Sequence, residues 1–232
     1  MDVKKSLTRR VVLDAAIQLA DENGLESLTM RKLGLRLNVE AMSLYNHVSN
    51  KNDLLIGIAD CVVSGFGLPH NCNDWRDSIR PVCEKTRSQL LLRPWAATLV
   101  QSLASPTDAR LKRTESLIAT FCKAGFSLQL AYKAQLAIES YIYGFVVQEA
   151  RWPFESKDQG EFATNLQGKI LTDDYPYLAE MLNSIARTRL IDDAENLTNE
   201  YDADFDFGLK LLFDGLETVR LKEVDTITNK SK

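Results

Sequence analysis

Cysteine is scarce in this chain of 232 residues, and its four copies, Cys61, Cys72, Cys83 and Cys122, form no C-x-x-C pair. A chain this long can build a core without a disulfide framework, so reduced thiols and a cytoplasmic location are expected. Histidine is scarcer still: with only His47 and His70, a Cys/His zinc site has few ligands to draw on, and neither metal nor cofactor is expected. The longest stretch without a charged residue, Pro94 to Thr107, has 14 residues. That is too few to span a membrane as a helix. Lys4 and Lys5 have no apolar run behind them, so no signal peptide is expected. Strand-type alternation, internal repeats, low-complexity tracts and phosphate-cradling glycine loops are all missing or rare. No nucleophile–base pairing or metal-ligand cluster stands out, which leaves a helical enzyme with an N-terminal interaction module as a remote alternative.

What the chain does have is helical periodicity, and the fold class it predicts is all-α. Val11, Val12, Ala15, Ala16, Leu19 and Ala20 recur at spacings of three and four, the stripe of an amphipathic helix. Thr8 is placed to cap it and Gly24 to end it. Thr29 caps a second helix carrying Leu33 and Leu37, and Asn38 tolerates the left-handed backbone of a sharp turn. A third short helix is expected from Glu40 to His47. Ser49 is the expected cap of a fourth, with Leu54, Leu55, Ile58 and Val62 on one side. Four helices in about 55 residues, the middle pair joined tightly, is a helix-turn-helix layout. Gly65, Gly67, Pro69 and Asn71 then punctuate the chain. The expected division is residues 1–49 as a helix-turn-helix domain, 50–64 as a connecting helix and 65–232 as a larger helical body. In this body, helices are expected over Asp74–Leu92 with a kink at Pro81, Pro94–Leu103, Thr107–Ala124 and Ser127–Ala150. Pro94 and Pro106 sit where first-turn prolines belong. A loop over 151–174, closing helices Pro176–Arg189 and Ala203–Lys222, and a frayed tail complete the plan.

Charge is unevenly divided over this plan. The chain has 28 basic and 32 acidic residues, a net −4, which excludes a uniformly basic coat. Residues 1–55, however, hold eight basic residues (Lys4, Lys5, Arg9, Arg10, Arg31, Lys32, Arg36 and Lys51) against seven acidic ones. Phosphate affinity depends on where charges sit, so a basic arm on a helix-turn-helix can bind DNA beneath an acidic body.

The segment from Thr29 to Leu55, with its Leu-Tyr-x-His-Val-x-x-Lys-x-x-Leu-Leu core at Leu44–Leu55, resembles the DNA-binding signature of the tetracycline-repressor (TetR) family of transcriptional regulators. Gly125-Phe-Ser-Leu and Phe207-Gly-Leu-x-Leu…Gly215-Leu-Glu are similar to segments of the tetracycline repressors themselves. The resemblance implies a third helix lying in the major groove, with Ala41, Met42, Ser43, Tyr45, Asn46 and His47 as readers and Leu44 and Val48 packed inward. Asn46 can pair bidentately with adenine, and Met42 or Ala41 can touch a thymine methyl. Tyr45, His47, Thr29 and Lys51 are implied phosphate contacts, and Arg31 can reach a phosphate or a guanine edge. Three positions depart from the pattern: Asn38 replaces the turn glycine, Asn46 replaces an aromatic, and Ala41 replaces a larger polar residue.

For the body, the resemblance implies a homodimer through helices near 127–150 and 203–222, reading a palindromic double-stranded operator. Leu128, Ala131, Tyr132, Gln135, Ile138, Tyr141, Ile142 and Phe145 form a stripe wider than one partner helix needs. A small-molecule effector is expected in a cavity lined by Phe66, Trp95, Leu99, Leu103, Leu117, Phe121, Tyr141, Phe145 and Gln148. Gln101 stands where tetracycline repressors carry a metal-binding histidine, so a different effector is expected. The function implied is a dimeric repressor released from its operator by that effector; an effector-independent DNA-binding protein is the alternative.

Overall fold

The computed structural model describes residues 6–103, 105–151, 175–181 and 194–230. Among them every regular element is helical and no strand occurs. Helix α1 (Arg9–Asn23) begins at Thr8, whose hydroxyl accepts the Val11 N–H at 3.3 Å, and ends at Gly24 with φ 75°. Helix α2 (Met30–Leu37) begins at Thr29, which accepts the Lys32 N–H at 3.2 Å. It ends at Asn38 in the left-handed region, φ 53° and ψ 46°. A side-chain cap of this kind contributes about 1 kcal/mol.

The turn after Asn38 brings the chain back hard against α2. A Cβ on Gly34 would lie 2.9 Å from the Val39 carbonyl and 3.3 Å from Ala41 Cα, so only glycine admits this approach. The third helix, α3 (Ala41–Leu44), is shorter than the expected Glu40–His47. After Leu44 the N–H groups of Tyr45, Asn46 and His47 bond three residues back rather than four, which tightens the chain into a turn. Helix α4 (Lys51–Ser64) is capped by Asn50, not by Ser49. Asn50 Oδ1 accepts the Asp53 N–H at 2.9 Å, while the Ser49 N–H is spent on Asp53 Oδ2 at 2.8 Å.

Leu28, Leu33, Leu44, Leu54 and Ile58 are each fully buried, with Val12 and Ala16 beside them. Burying a leucine or isoleucine side chain is worth about 1.5–3 kcal/mol, and Leu44 anchors α3 by its full burial. At Gly57 a Cβ would collide with Leu13 Cδ2 at 2.7 Å; the glycine lets α1 lie directly on α4.

Four long helices follow: α5 (Trp75–Leu91), α6 (Pro94–Ser102), α7 (Asp108–Lys123) and α8 (Leu128–Arg151). Helix α5 starts at Asp74, which accepts the Arg76 N–H at 2.8 Å, and runs through Pro81 as one element. Pro94 is the first residue of α6 as expected. Pro106 is not in the first turn of α7, because Thr107 is the cap and helix begins at Asp108. Trp75, Phe121 and Phe126 form an aromatic cluster with ring centroids 5.2–5.5 Å apart. Arg113 is buried and pays its desolvation cost through four partners. It donates to the Gly67 carbonyl at 3.3 Å and Thr86 Oγ1 at 3.1 Å, pairs with Glu139 at 3.6 Å, and lies over the Phe66 ring. It thereby ties the punctuation segment to α5 and α8.

The final helix, α9 (Ala194–Lys230), contains the expected 203–222 but starts earlier and continues through residues expected to fray. Contacts divide the chain into two compact units, residues 1–146 with 216–232, and residues 147–215. In the first, Trp75 Nε1 and Arg220 both donate to Glu217, and Arg220 Nη1 also reaches the Ala124 carbonyl. In the second, Phe205, Leu209 and Phe213 are buried at spacings of four. Most of the expected loop at 151–174 lies outside the described residues, as does Pro176–Arg189 beyond the helical residues 176–181.

Candidate nucleic-acid interface

The third helix and its following turn present a sorted set of side chains. Leu44 and Val48 are buried, while Met42 is 75 % exposed and Tyr45 44 %. Asn46 is exposed, and Ala41, Ser43 and His47 are half-buried. Thr29, Arg31 and Lys51 are also exposed. The Thr29 hydroxyl oxygen serves α2 as its cap, which leaves the hydroxyl proton for an outside acceptor such as a phosphate. The N–H groups of the first turn of α2 point the same way, the arrangement that attracts anions. Leu35, 73 % exposed on α2, is an apolar surface residue that sequence patterning did not single out.

The positive charge is redistributed from what the sequence suggested. Arg9 is committed to the protein: Nη2 and Nη1 meet the two Asp53 oxygens at 2.6 and 3.0 Å, and Nη1 also donates to the His47 carbonyl at 2.9 Å. That guanidinium, more than any other cause, holds the Asp53 carboxyl at about 2. Arg10 pairs with Asp14 one turn on, and Arg36 makes a two-point pair with Glu22. Lys4 and Lys5 lie outside the described residues. Arg31, Lys32 and Lys51 are exposed and carry no ion pair among the described residues. Among the described residues, the cations without an ion pair thus lie around the third helix and its following turn.

In the body, the nine residues expected around an effector are scattered by environment. Phe66, Leu99, Leu117 and Phe121 are buried, Phe121 within the aromatic cluster. Tyr141 and Phe145 are half-buried and stacked at 5.7 Å. Leu103 is half-buried and Gln148 exposed. Trp95 faces the first domain, its indole donating to Asp21 of α1 at 2.9 Å. Two described clefts lie elsewhere: one of about 230 Å³ beside His70, Cys72 and Lys123, and one of about 370 Å³ between α1, α4 and α5. Neither takes a side chain from the nine. Polar groups line the inner side of α8 instead. Gln135 Nε2 donates to Thr114 Oγ1 at 3.3 Å, its Oε1 is buried without a partner, and Glu139 reaches Arg113. Burial pushes the Tyr143 hydroxyl up to about 12, with Glu139 adding to the effect and a hydrogen bond from Gln101 opposing it. Among the described residues no group of three His, Cys, Asp or Glu could hold a metal ion, and no helix is long and apolar enough to cross a membrane.

A capped helix-turn-helix with an outward-facing reading turn, set ahead of a larger helical body, defines the class of DNA-binding transcriptional regulators. Residues 12–58 match the pattern of bacterial regulatory proteins of the tetR family, and residues 68–220 match the tetracyclin repressor-like C-terminal domain. The chain belongs to the TetR family. It is 36 % identical over 179 residues to an HTH-type transcriptional regulator of Saccharopolyspora erythraea, covering 76 % of this chain and 75 % of that one. A variant of TetR from Acinetobacter baumannii AYE in complex with minocycline superposes with a TM-score of 0.65 at 28 % identity, covering 93 % and 99 % of the two chains. BioQ with its double-stranded DNA operator gives a TM-score of 0.55 at 28 % identity over 71 % of this chain and 97 % of that one.

Proposed function

We propose that this regulator is a dimeric repressor that occupies a palindromic operator and is released by a small-molecule effector bound in its body. The observation that carries the reading is the sorting of the reading turn, with Leu44 and Val48 buried and Met42, Tyr45 and Asn46 facing water. Residues 1–49 serve as the DNA-binding domain, 50–64 as the connecting helix and 65–232 as the effector and dimerisation domain. Met42, Tyr45 and Asn46, with Ala41 and Ser43 at shorter reach, read base edges. Thr29, Arg31, His47 and Lys51 meet the backbone and set the register. BioQ, a structural neighbour, was solved on its operator, which supports this docking.

Apolar side chains left in water support the dimer. Leu128, Tyr132 and Leu136 are 69 %, 60 % and 54 % exposed at successive turns of α8, while Ala131, Ile138 and Ile142 of the expected stripe are buried. On α9, Phe207 and Leu211 are similarly exposed one turn apart. Apolar rows of this kind mark interaction surfaces. The effector differs from tetracycline in needing no metal, since Gln101 offers an amide where a histidine would bind one. The work is regulatory rather than enzymatic, uses no cofactor, and takes place in the cytoplasm with the DNA.

The test is Tyr45→Ala assayed by gel shift on a duplex selected from random sequence by the wild-type protein. Specific retention is expected to be lost while sedimentation still reports a dimer. Normal retention by Tyr45→Ala would show that this turn does not read the operator.

A further inference from the structure

Two adjacent carboxylates at the end of α1 face different partners. Asp21 points to the body: one oxygen accepts from Arg93 Nε at 3.2 Å and the other from Trp95 Nε1 at 2.9 Å. Glu22 points into the helix-turn-helix, where Arg36 of α2 donates to both its oxygens at 2.6 and 2.7 Å. Arg93 is the residue before α6 and Trp95 lies in its first turn. Ala96, Ala97, Leu99 and Val100 anchor that helix in the body core. Two donors from different residues fix both Asp21 oxygens, so the end of α1 cannot rotate without breaking one bond. The two carboxylates sit on consecutive residues of α1, joined by one rigid peptide unit, and α2 leads directly into the left-handed Asn38 turn and α3.

We infer that Asp21 is a positioning residue for the reading turn, and that Trp95/Arg93–Asp21 and Glu22–Arg36 form a relay that couples α6 to α2 without passing through the connecting helix α4. The inference rests on the regulator reading above. All four charged partners keep access to water: side-chain exposure is 32 % for Asp21, 30 % for Arg93, 54 % for Glu22 and 29 % for Arg36. Pairs so placed are weak individually, so the relay can be made and broken by a modest shift of α6. A deeply buried ion pair would lock the two parts permanently. A separate tie runs through α4, where Asp60 Oδ1 accepts the Ala109 N–H at 3.1 Å at the start of α7. The body thus meets the first domain both at Asp21 and along α4, which packs on α6 and α7, and Asp21 gives movement of α6 a route to α2 besides α4.

The experiment compares wild-type protein with Asp21→Ala, Trp95→Phe and the double variant. Nitroxide-bearing unnatural amino acids at the exposed positions 32 and 112 report the distance from α2 to α7 by pulsed electron resonance. Unlabelled chain in excess leaves one labelled protomer per dimer. Both single variants are expected to broaden the distance distribution, and the double variant to broaden it no further than Asp21→Ala, because the two substitutions remove a shared contact. Affinity for the selected duplex should fall on the order of tenfold in Asp21→Ala. Asp21→Asn, which keeps an acceptor for the Trp95 indole, should restore most of both. A wild-type distribution in Asp21→Ala would overturn the inference, and so would a lowered melting temperature with unchanged distances. If Asp21→Ala fails to fold, Trp95→Phe decides alone by the same distances. The distance readout needs neither operator nor effector. A failure to select any duplex therefore counts against the repressor reading and leaves the relay to be judged on distance.

Discussion

Arg9→Gln separates two roles that a basic N-terminal residue can play in a DNA-binding protein. In the structure Arg9 spends its guanidinium on both Asp53 oxygens and on the His47 carbonyl, so it closes the third-helix turn onto α1 and the start of α4. A carboxyl held at about 2 against an ordinary 3.8 corresponds to at most about 2 kcal/mol. Arg9 is 44 % exposed, and water replaces part of what glutamine removes, which brings the expected loss to ~1 kcal/mol. Urea unfolding at pH 7 measures it. The sign of the pH dependence follows from the lowered pKa: the contribution is complete above pH 4 and is lost as pH falls through about 2. The gap between wild type and Arg9→Gln should therefore narrow over that acid interval. Operator binding supplies the second readout. A phosphate contact would contribute about 0.9 to the slope of log affinity against log salt, whereas an internally paired arginine contributes none. Arg9→Gln is therefore expected to keep the wild-type slope. A slope shallower by about one, with an unchanged urea midpoint, would refute the clamp and return Arg9 to the DNA.

Two further substitutions probe the fold on either side of the reading turn. Gly34→Ala places a methyl 2.9 Å from the Val39 carbonyl; backbone must move, at a cost of about 2 kcal/mol. Operator retention should fall with it in a gel shift. Glu217→Gln removes the carboxylate that holds Trp75, Arg76 and Arg220, whose pKa the Arg220 guanidinium above all lowers to about 2. It should cost ~1 kcal/mol in urea near neutrality and progressively less between pH 4 and pH 2.

What could be read from the sequence is what is decided within a few residues. Thr8, Thr29, Gly24 and Asn38 each act on groups three or four positions away, and each does in the structure what its chemistry suggested. Ser49 and Asn50 are both competent caps and adjacent, so only the geometry around Asp53 chooses between them. Arg9 and Asp53 are 44 positions apart, and Trp95 and Asp21 are 74. No local pattern marks such partners, so neither the Arg9–Asp53 pair nor the Trp95–Asp21 bond could be read from the sequence. The α8 stripe reads as one wide face because periodicity gives direction but not neighbours. The structure divides it between core and water. Gly34 was missed because nothing in an octapeptide announces that a later carbonyl will arrive against it.

The brevity of α3 has a statistical consequence. One helical turn and the three residues after it can interrogate roughly four base pairs, and a word of that length recurs by chance every few hundred positions. Against the ~10⁶ competing sites of a bacterial chromosome, a single chain is nearly blind. Two chains held at fixed separation square the odds, and the spacing between words adds a further filter. Addressing the right promoter then becomes a property of the assembled pair, so gene dosage and subunit concentration enter the regulatory response as directly as the operator's own bases.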